Sequence, residues 1–371
     1  QEAIWNERSE SKMKSPTCFR TAMAAVLVLS VAIASGCGGG NTSGGKASGN
    51  GSGDNLVGGA ATEPDQAGLS GDAQTLVRVG YLPVSTTLPT WIAEAQGCAT
   101  SRGLRLEHKR FATADLLLAA LLNGEIHATS VCADEPMLLA LHKNRGAFEI
   151  YLQEILDERP VFDAILVKGD ARAKSLADLA GQTIACFPGT QLRTYLAVIL
   201  SKAGLDPETV TIRQMPPEKL LPALSSGTVD AIFTLEPYIT IGTEQAAARV
   251  LTPSPIVKYI GGGAPICAAS FLVSTQWADA NPAAADSFVA AVQQAVQIIE
   301  DDYEACAARY PEFTPIPAEL ATHVAITRFA SFQNPDRSGL KRESETLVQS
   351  GTLESSPDLS RVFYQPRGTA E

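Results

Sequence analysis

Twelve residues of this chain are written twice. Leu117–Ala128 reads LLAALLNGEIHA, and about a hundred residues later Leu220–Ala231 reads LLPALSSGTVDA. Six of the twelve positions are identical, and Ile126/Val229 is a near match. In each copy an apolar helical pattern stops at a Gly and gives way to a short β-prone run, which is a helix followed by a strand. The residues around each copy extend the likeness. In the first half VRVGYLP (Val77–Pro83), LPTWIAEAQG (Leu88–Gly97), LRLEHKRF (Leu104–Phe111), ADLLLAALLNG (Ala114–Gly124) and IHATSV (Ile126–Val131) read β-α-β-α-β. In the second, TIACFP (Thr183–Pro188), QLRTYLAVILSKAG (Gln191–Gly204), VTIRQM (Val210–Met215), PEKLLPALSSG (Pro217–Gly227) and VDAIFTL (Val229–Leu235) repeat that order. Alternating βαβ units predict parallel sheets covered by helices, here as two lobes. Two copies are too few for a solenoid.

Between the halves DAILVKGD (Asp163–Asp170) predicts a strand and a linker, and after the second half ICAASFLVST (Ile266–Thr275) predicts another strand. These are the expected crossings. They place the first lobe at 75–167, the second at 168–265, and a return to the first at 266–371. In the returning part Asn281 is expected to cap a helix that starts at Pro282 and runs through DSFVAAVQQAVQIIEDDYEACAARY. Pro317–Phe332 is expected to be helical as well.

The chain begins with a different kind of sequence. From Met13, basic Lys14 and Arg20 precede an apolar run from Ala22 to Ala34, too short for a membrane span and followed by small residues. That is the pattern of an export signal. Ala34-Ser35-Gly36-Cys37 resembles the bacterial lipobox, although Leu is commoner where Ala34 stands, so Cys37 is the expected lipidation site. Residues 38–74 are rich in Gly, Ser, Asn and Ala without apolar periodicity, which predicts a flexible tether. Residues 1–36 are expected to be upstream residues plus the signal peptide, with the signal starting at about Met13.

Of 371 residues 45% are hydrophobic and 19% charged, enough to build a sizeable core. The net charge of −11 argues against a nucleic-acid partner. Cys98, Cys132, Cys186, Cys267 and Cys306 match no zinc or CxxC spacing. With four His, two of them (His108 and His127) in expected strands, neither metal nor cofactor is expected. No catalytic set stands out: GxSxG, P-loop and HExxH patterns are missing, and Gly261–Pro265 (GGGAP) lacks the strand-then-helix setting of a phosphate loop.

In open α/β sheets ligands gather outside the carboxyl ends of strands, where helix N-termini offer free N–H groups. The corresponding corners are Val84-Ser85-Thr86-Thr87 in one half and Gly189-Thr190-Gln191 in the other. Either threonine could simply cap its helix; their equivalence favours two anion-friendly corners facing across a cleft. The third strands end in Cys132-Ala133-Asp134-Glu135-Pro136 and Leu235-Glu236-Pro237-Tyr238. Their carboxylates could hold a ligand amine or brace a hinge. Cys132 and Cys186 read more simply as buried filler, and Tyr81, Phe187 and Tyr238 could stack on an organic ligand or belong to the core.

Ser175–Tyr238 resembles the solute-binding proteins of nitrate, sulfonate and taurine ABC importers, a family that also holds binders of thiamine-precursor pyrimidines and riboflavin. The resemblance is carried by LAGQTIA, PGT before a helix, KAGLDPETV, ALSSGTVDA and EPY, supported by VRVGYLP and LLNGEIHA, and spans roughly Val77 to Phe332. It implies a two-lobe type II periplasmic binding protein, each lobe a mostly parallel sheet flanked by helices, joined by two hinge crossings and closing on its solute. It also implies ligand contacts at Ser85, Thr86 and Thr87, at Ser130, Cys132 and Asp134, at Gly189, Thr190 and Gln191, and at Glu236 and Tyr238. Arg193 adds a positive group. His127 stands where the family usually has Asp, as Asp230 does in the second half; the change reads as structural.

The expected protein is thus a monomeric, lipid-anchored, extracytoplasmic receptor. It would pass a small polar or anionic solute, or an oxyanion, to an ABC permease with a cytoplasmic ATPase. A diderm host would place it in the periplasm, a monoderm host on the outer face of its membrane. A flat heterocycle is the alternative cargo and a sensor subunit the alternative role. An enzyme on this scaffold is least expected: the thiamine-pyrimidine synthases carry a CCCFC motif missing here, and related chorismate-derivative lyases are cytoplasmic.

Overall fold

The computed structural model describes residues 74–368; the expected signal, the expected lipidation site Cys37 and nearly all of the expected tether lie outside the described residues. The chain enters through β1 (Thr75–Tyr81) and, after a 3-10 turn over Ser85–Thr87, α1 (Leu88–Ala95), which has Pro89 in its first turn. β2 (Leu104–Arg110) and α2 (Ala114–Leu122) follow. Thr113 caps α2 by accepting from the Leu116 N–H at 3.2 Å, and Gly124, with φ +73°, turns the chain out of it. Then come β3 (Ala128–Thr129), β4 (Cys132–Ala133), α3 (Asp134–Lys143) and β5 (Phe148–Leu156).

The second sheet starts with β6 (Asp163–Lys168) and β7 (Thr183–Cys186), continues through α4 (Thr190–Lys202), β8 (Thr211–Gln214), α5 (Pro217–Ser226) and β9 (Ala231–Leu235), and ends with α6 (Tyr238–Glu244) and β10 (Ala248–Pro253). The chain returns through β11 (Ile266–Ser274), α7 (Thr275–Ala280), α8 (Pro282–Asp301), α9 (Tyr303–Ala307), β12 (Arg328–Ser331) and α10 (Arg337–Gln349). The strand orders are β12-β5-β11-β3-β1-β2, with β4 beside β11, and β10-β6-β9-β7-β8.

The duplication is visible in those orders. β3-β1-β2 and β9-β7-β8 are the same parallel arrangement, each with an antiparallel strand, β11 or β6, beyond the repeated third strand. Among the strands described, the ladders outside these triplets are antiparallel, with one isolated parallel bridge between Ile150 and Phe363. The copies also match in detail. His127 Nδ1 accepts from the Arg78 N–H at 3.3 Å, and Asp230 accepts from the Thr183 N–H at 2.8 Å, so both residues anchor the first strand of their triplet. Burial and the Arg78 charge lower the His127 pKa to about 4, and its ring stacks on Trp277 at 4.9 Å. The substitution at this place is a packing solution.

Several sequence expectations are corrected. β6 pairs with β9 and β10, so the second sheet starts at Asp163 and the first crossing lies at 157–162, ahead of the expected boundary after 167. The β-prone run at 126–131 is a strand only at Ala128–Thr129, where the Ser130 N–H closes the ladder by donating to the Gly80 carbonyl at 2.8 Å. Residues 317–332 are not an α-helix. Ala318–His323 is a 3-10 segment and Arg328–Ser331 pairs with β5, whose outer edge would otherwise be left open. Asn281 precedes the helix that starts at Pro282, but its side-chain amide donates back to the Trp277 carbonyl at 2.9 Å and caps nothing. β5 itself was not expected.

The core has two parts. Val77, Val79 and Phe271 of the first sheet pack against Ile92 of α1 and Phe288 and Val292 of α8. The opposite side of that sheet shares a continuous apolar cluster with the second, from Leu117 and Met137 through Phe162 to Ile184, Leu196 and Phe233. Tyr151, Phe271 and Phe288 meet edge-to-face at 5.4–5.9 Å. The five cysteines in the described region are free and buried, as filler. Among the described residues no helix is long and apolar enough to cross a membrane.

Candidate functional site

Both strand triplets end at one place, and a cavity of about 100 Å³ lies between them. The first lobe supplies Leu82, Val84 and Thr86 after β1, Thr113 and Asp115 where α2 begins, and Glu154 from β5. The other side is formed by Phe162 in the crossing and by Phe187, Gly189 and Thr190, where β7 turns into α4. Side chains converge here because every parallel strand of a doubly wound sheet delivers its carboxyl end, and the next helix start, to the same edge.

The expected corners do meet. Thr86, Gly189, Thr190 and Gln191 all line the cavity. Gly189 has φ +114°, a conformation open to glycine, and this sharp turn sets the direction in which α4 begins. Gln191 then reaches across to the first lobe. Its Nε2 donates to the Ala268 carbonyl at 2.9 Å, and its Oε1 accepts from the Glu135 N–H at 2.8 Å.

The other expected residues stand just behind the wall, and most of them spend polar groups on protein. Thr87 Oγ1 donates to the Leu82 carbonyl at 2.9 Å and Ser130 Oγ to the Gly80 carbonyl at 3.2 Å. Ser85 is fully buried and its hydroxyl finds no partner. Cys132 is buried. Tyr238 meets Phe187 edge-to-face at 5.4 Å and so supports the wall from behind. Glu236 accepts from the Thr240 N–H at 3.1 Å and the Thr240 hydroxyl at 2.9 Å, and burial pushes its carboxyl up to about 7. The geometry favours bracing over ligand contact for Glu236.

Asp134 belongs to a buried polar group that joins the lobes. It accepts from Cys267 Sγ at 2.9 Å, Thr194 Oγ1 of α4 donates to Glu135 at 3.2 Å, and the Tyr195 hydroxyl of α4 donates to Glu343 of α10. Burial raises Asp134 to about 6 and Glu135 to about 7, and lifts Glu343 well above the usual carboxylate range. Carboxyls that hold their protons this far up can share a dry interface without a cation.

Among the lining residues that the sequence did not point to are Asp115, Glu154 and Phe162. Glu154 is 4% exposed. Burial, with Asp134 and Asp163 nearby, raises its carboxyl well above the ordinary range against the opposing hydrogen bond from Thr327 Oγ1 at 3.2 Å. An acid close to the apolar end of the run FEIYLQEIL is the available signal for it. Thr113–Asp115 is a second strand-to-helix corner, between β2 and α2.

This architecture has named counterparts. The model of the NMT1-like family matches residues 70–309. The nitrate import ATP-binding protein NrtC of Synechococcus elongatus is 24% identical over 253 residues, 63% of this chain and 36% of that one. The putative aliphatic sulfonates-binding protein of Escherichia coli is 25% identical over 204 residues, 55% of this chain and 60% of that one. The match therefore spans less than two thirds of either relative. The crystal structure of the periplasmic aliphatic sulphonate binding protein SsuA from Escherichia coli superposes with a TM-score of 0.62 at 19% identity, over 80% of this chain and 94% of that one. With its duplicated strand triplets meeting at one cleft, the chain has the two-lobed periplasmic binding protein fold and belongs to the NMT1-like family.

Proposed function

We propose that this chain is the solute-binding component of an ABC importer, lipid-anchored through Cys37 and extracytoplasmic. It works as a monomer that captures a small solute between its lobes and presents it to a permease with a cytoplasmic ATPase. The observation that carries this reading is the cavity walled by both lobes and bridged by the Gln191 hydrogen bonds to Glu135 and Ala268. Such a site can open and close around a ligand by rigid movement about the crossings at 157–162 and 254–265. Kinship with a nitrate import protein and an aliphatic sulfonates-binding protein supports a polar or anionic organic cargo. A second reading, a flat heterocycle, is favoured by the rings of Phe162 and Phe187 in the wall.

Isothermal titration of the mature chain against a panel of oxyanions, sulfonates and pyrimidines tests the proposal. Saturable one-to-one binding without consumption of the ligand is expected. Turnover of a bound compound would overturn it. Metabolic labelling with a fatty acid should mark the chain and fail to mark a Cys37→Ala variant.

A further inference from the structure

The wall of the cavity says more about cargo than the helix starts alone. α4 has thirteen residues, and no side chain of its own lobe caps it: its N-cap is Gly189. Free N–H groups and the positive end of a helix dipole at that position would ordinarily welcome a ligand anion. Here a carboxylate of the opposite lobe already stands there. Asp115 Oδ1 accepts from the Thr190 hydroxyl at 3.3 Å, and its other oxygen lies 3.1 Å from where a Cβ on Gly189 would be. Among the described residues that line the cavity none is Lys, Arg or His, and the second acid in the wall is Glu154.

Resting on the reading of the chain as a solute receptor, but departing from the anionic cargo that kinship suggests, we infer that its cargo is a small uncharged molecule, largely apolar, with one hydrogen-bonding group, and that Asp115 is the residue that excludes anions. A ligand anion entering the cavity would face Asp115 at the helix start with no cation to offset it. A ligand cation gains little either. Asp115 is matched by the α4 N-terminus, and Glu154, raised by burial, keeps its proton and presents an O–H. A buried charge without a partner is strongly disfavoured, and an uncharged acceptor facing Glu154 is not. A dry apolar cavity of about 150 Å³ holds a benzene ring; at about 100 Å³ the closed cavity is smaller, so a single-ring cargo requires the lobes to part slightly around it.

The test compares benzamide, benzoate and benzylammonium, one ring with three charges, by titration calorimetry on the mature chain. Benzamide should bind at least about tenfold more tightly than either ion, a gap of about 1.4 kcal/mol. Asp115→Asn should raise benzoate affinity about tenfold and so narrow the benzamide-to-benzoate ratio. Should that variant unfold, as its thermal midpoint would reveal, the wild-type ranking decides alone. Either ion binding the wild type as tightly as benzamide overturns the inference and leaves the receptor reading in place, and so does an anion found by native mass spectrometry in protein from its own host. Failure of all three probes also counts against the inference. If that same protein carries no bound small molecule, the receptor reading falls with it.

Discussion

Gln191→Leu removes the polar bridge across the cleft while keeping most of the bulk of the side chain. In the closed form the change strips partners from the Glu135 N–H and the Ala268 carbonyl, each of which meets Gln191 at 2.8–2.9 Å. Leaving a buried polar group unpaired costs about 1–3 kcal/mol, and a neutral hydrogen bond contributes about 1 kcal/mol net. In an open form both main-chain groups reach water, and the substitution is close to neutral there. Closure should therefore lose about 2 kcal/mol, roughly a 30-fold drop in the closed-to-open ratio. Dyes on cysteines introduced at Leu116 and Lys219, exposed residues of α2 and α5, would report the ratio by single-molecule energy transfer; the native cysteines in the described region are buried. Cargo affinity should fall by up to the same factor, with the unfolding free energy nearly unchanged. An unchanged closed population, or an equal loss of global stability without opening, would refute the reasoning.

Other consequences can be checked separately. Glu236 is raised from 4.5 to about 7 by burial, so between those pH values the folded state binds the extra proton and stability falls as pH rises, by about 3 kcal/mol in all. Glu236→Gln cannot titrate; denaturant unfolding should find it close to wild type at pH 4.5 and more stable by up to that amount at pH 8, and equal slopes would reject the buried-acid account. Gly189→Ala forces a side chain into φ +114° and towards Asp115, which should cost about 1–3 kcal/mol in unfolding free energy; an unchanged midpoint would disprove strain there. Ala269→Leu adds three carbons to the wall of a cavity of about 100 Å³. It should abolish cargo binding and hold or raise the thermal midpoint, so retained affinity would move the binding site elsewhere.

Much of the architecture was legible because it is written in local patterns. Helical spacing ending at Gly124 and Gly227 gave the repeated helix, and equivalent corners at Thr86 and Gly189–Gln191 pointed to the cleft. The readings that failed depend on partners. β5 carries Glu149, Gln153 and Glu154 inside an apolar run, which blurs its periodicity. β12 is a strand because β5 offers it an edge, and β6 lies in the second sheet because β9 and β10 receive it. Ser130, Asp134 and Glu236 were chosen for standing at strand ends, and only side-chain direction decides that they hydrogen-bond to protein behind the wall.

The sequence by itself determined a doubled β-α-β-α-β unit and the edge at which its loops collect, since backbone propensity and apolar period act over a few residues. Tertiary structure alone decided the cavity's chemistry. Asp115 and Thr190 are separated by 75 positions, and Gln191 and Ala268 by 77. Whether such pairs touch depends on how two sheets pack, and no local pattern encodes that.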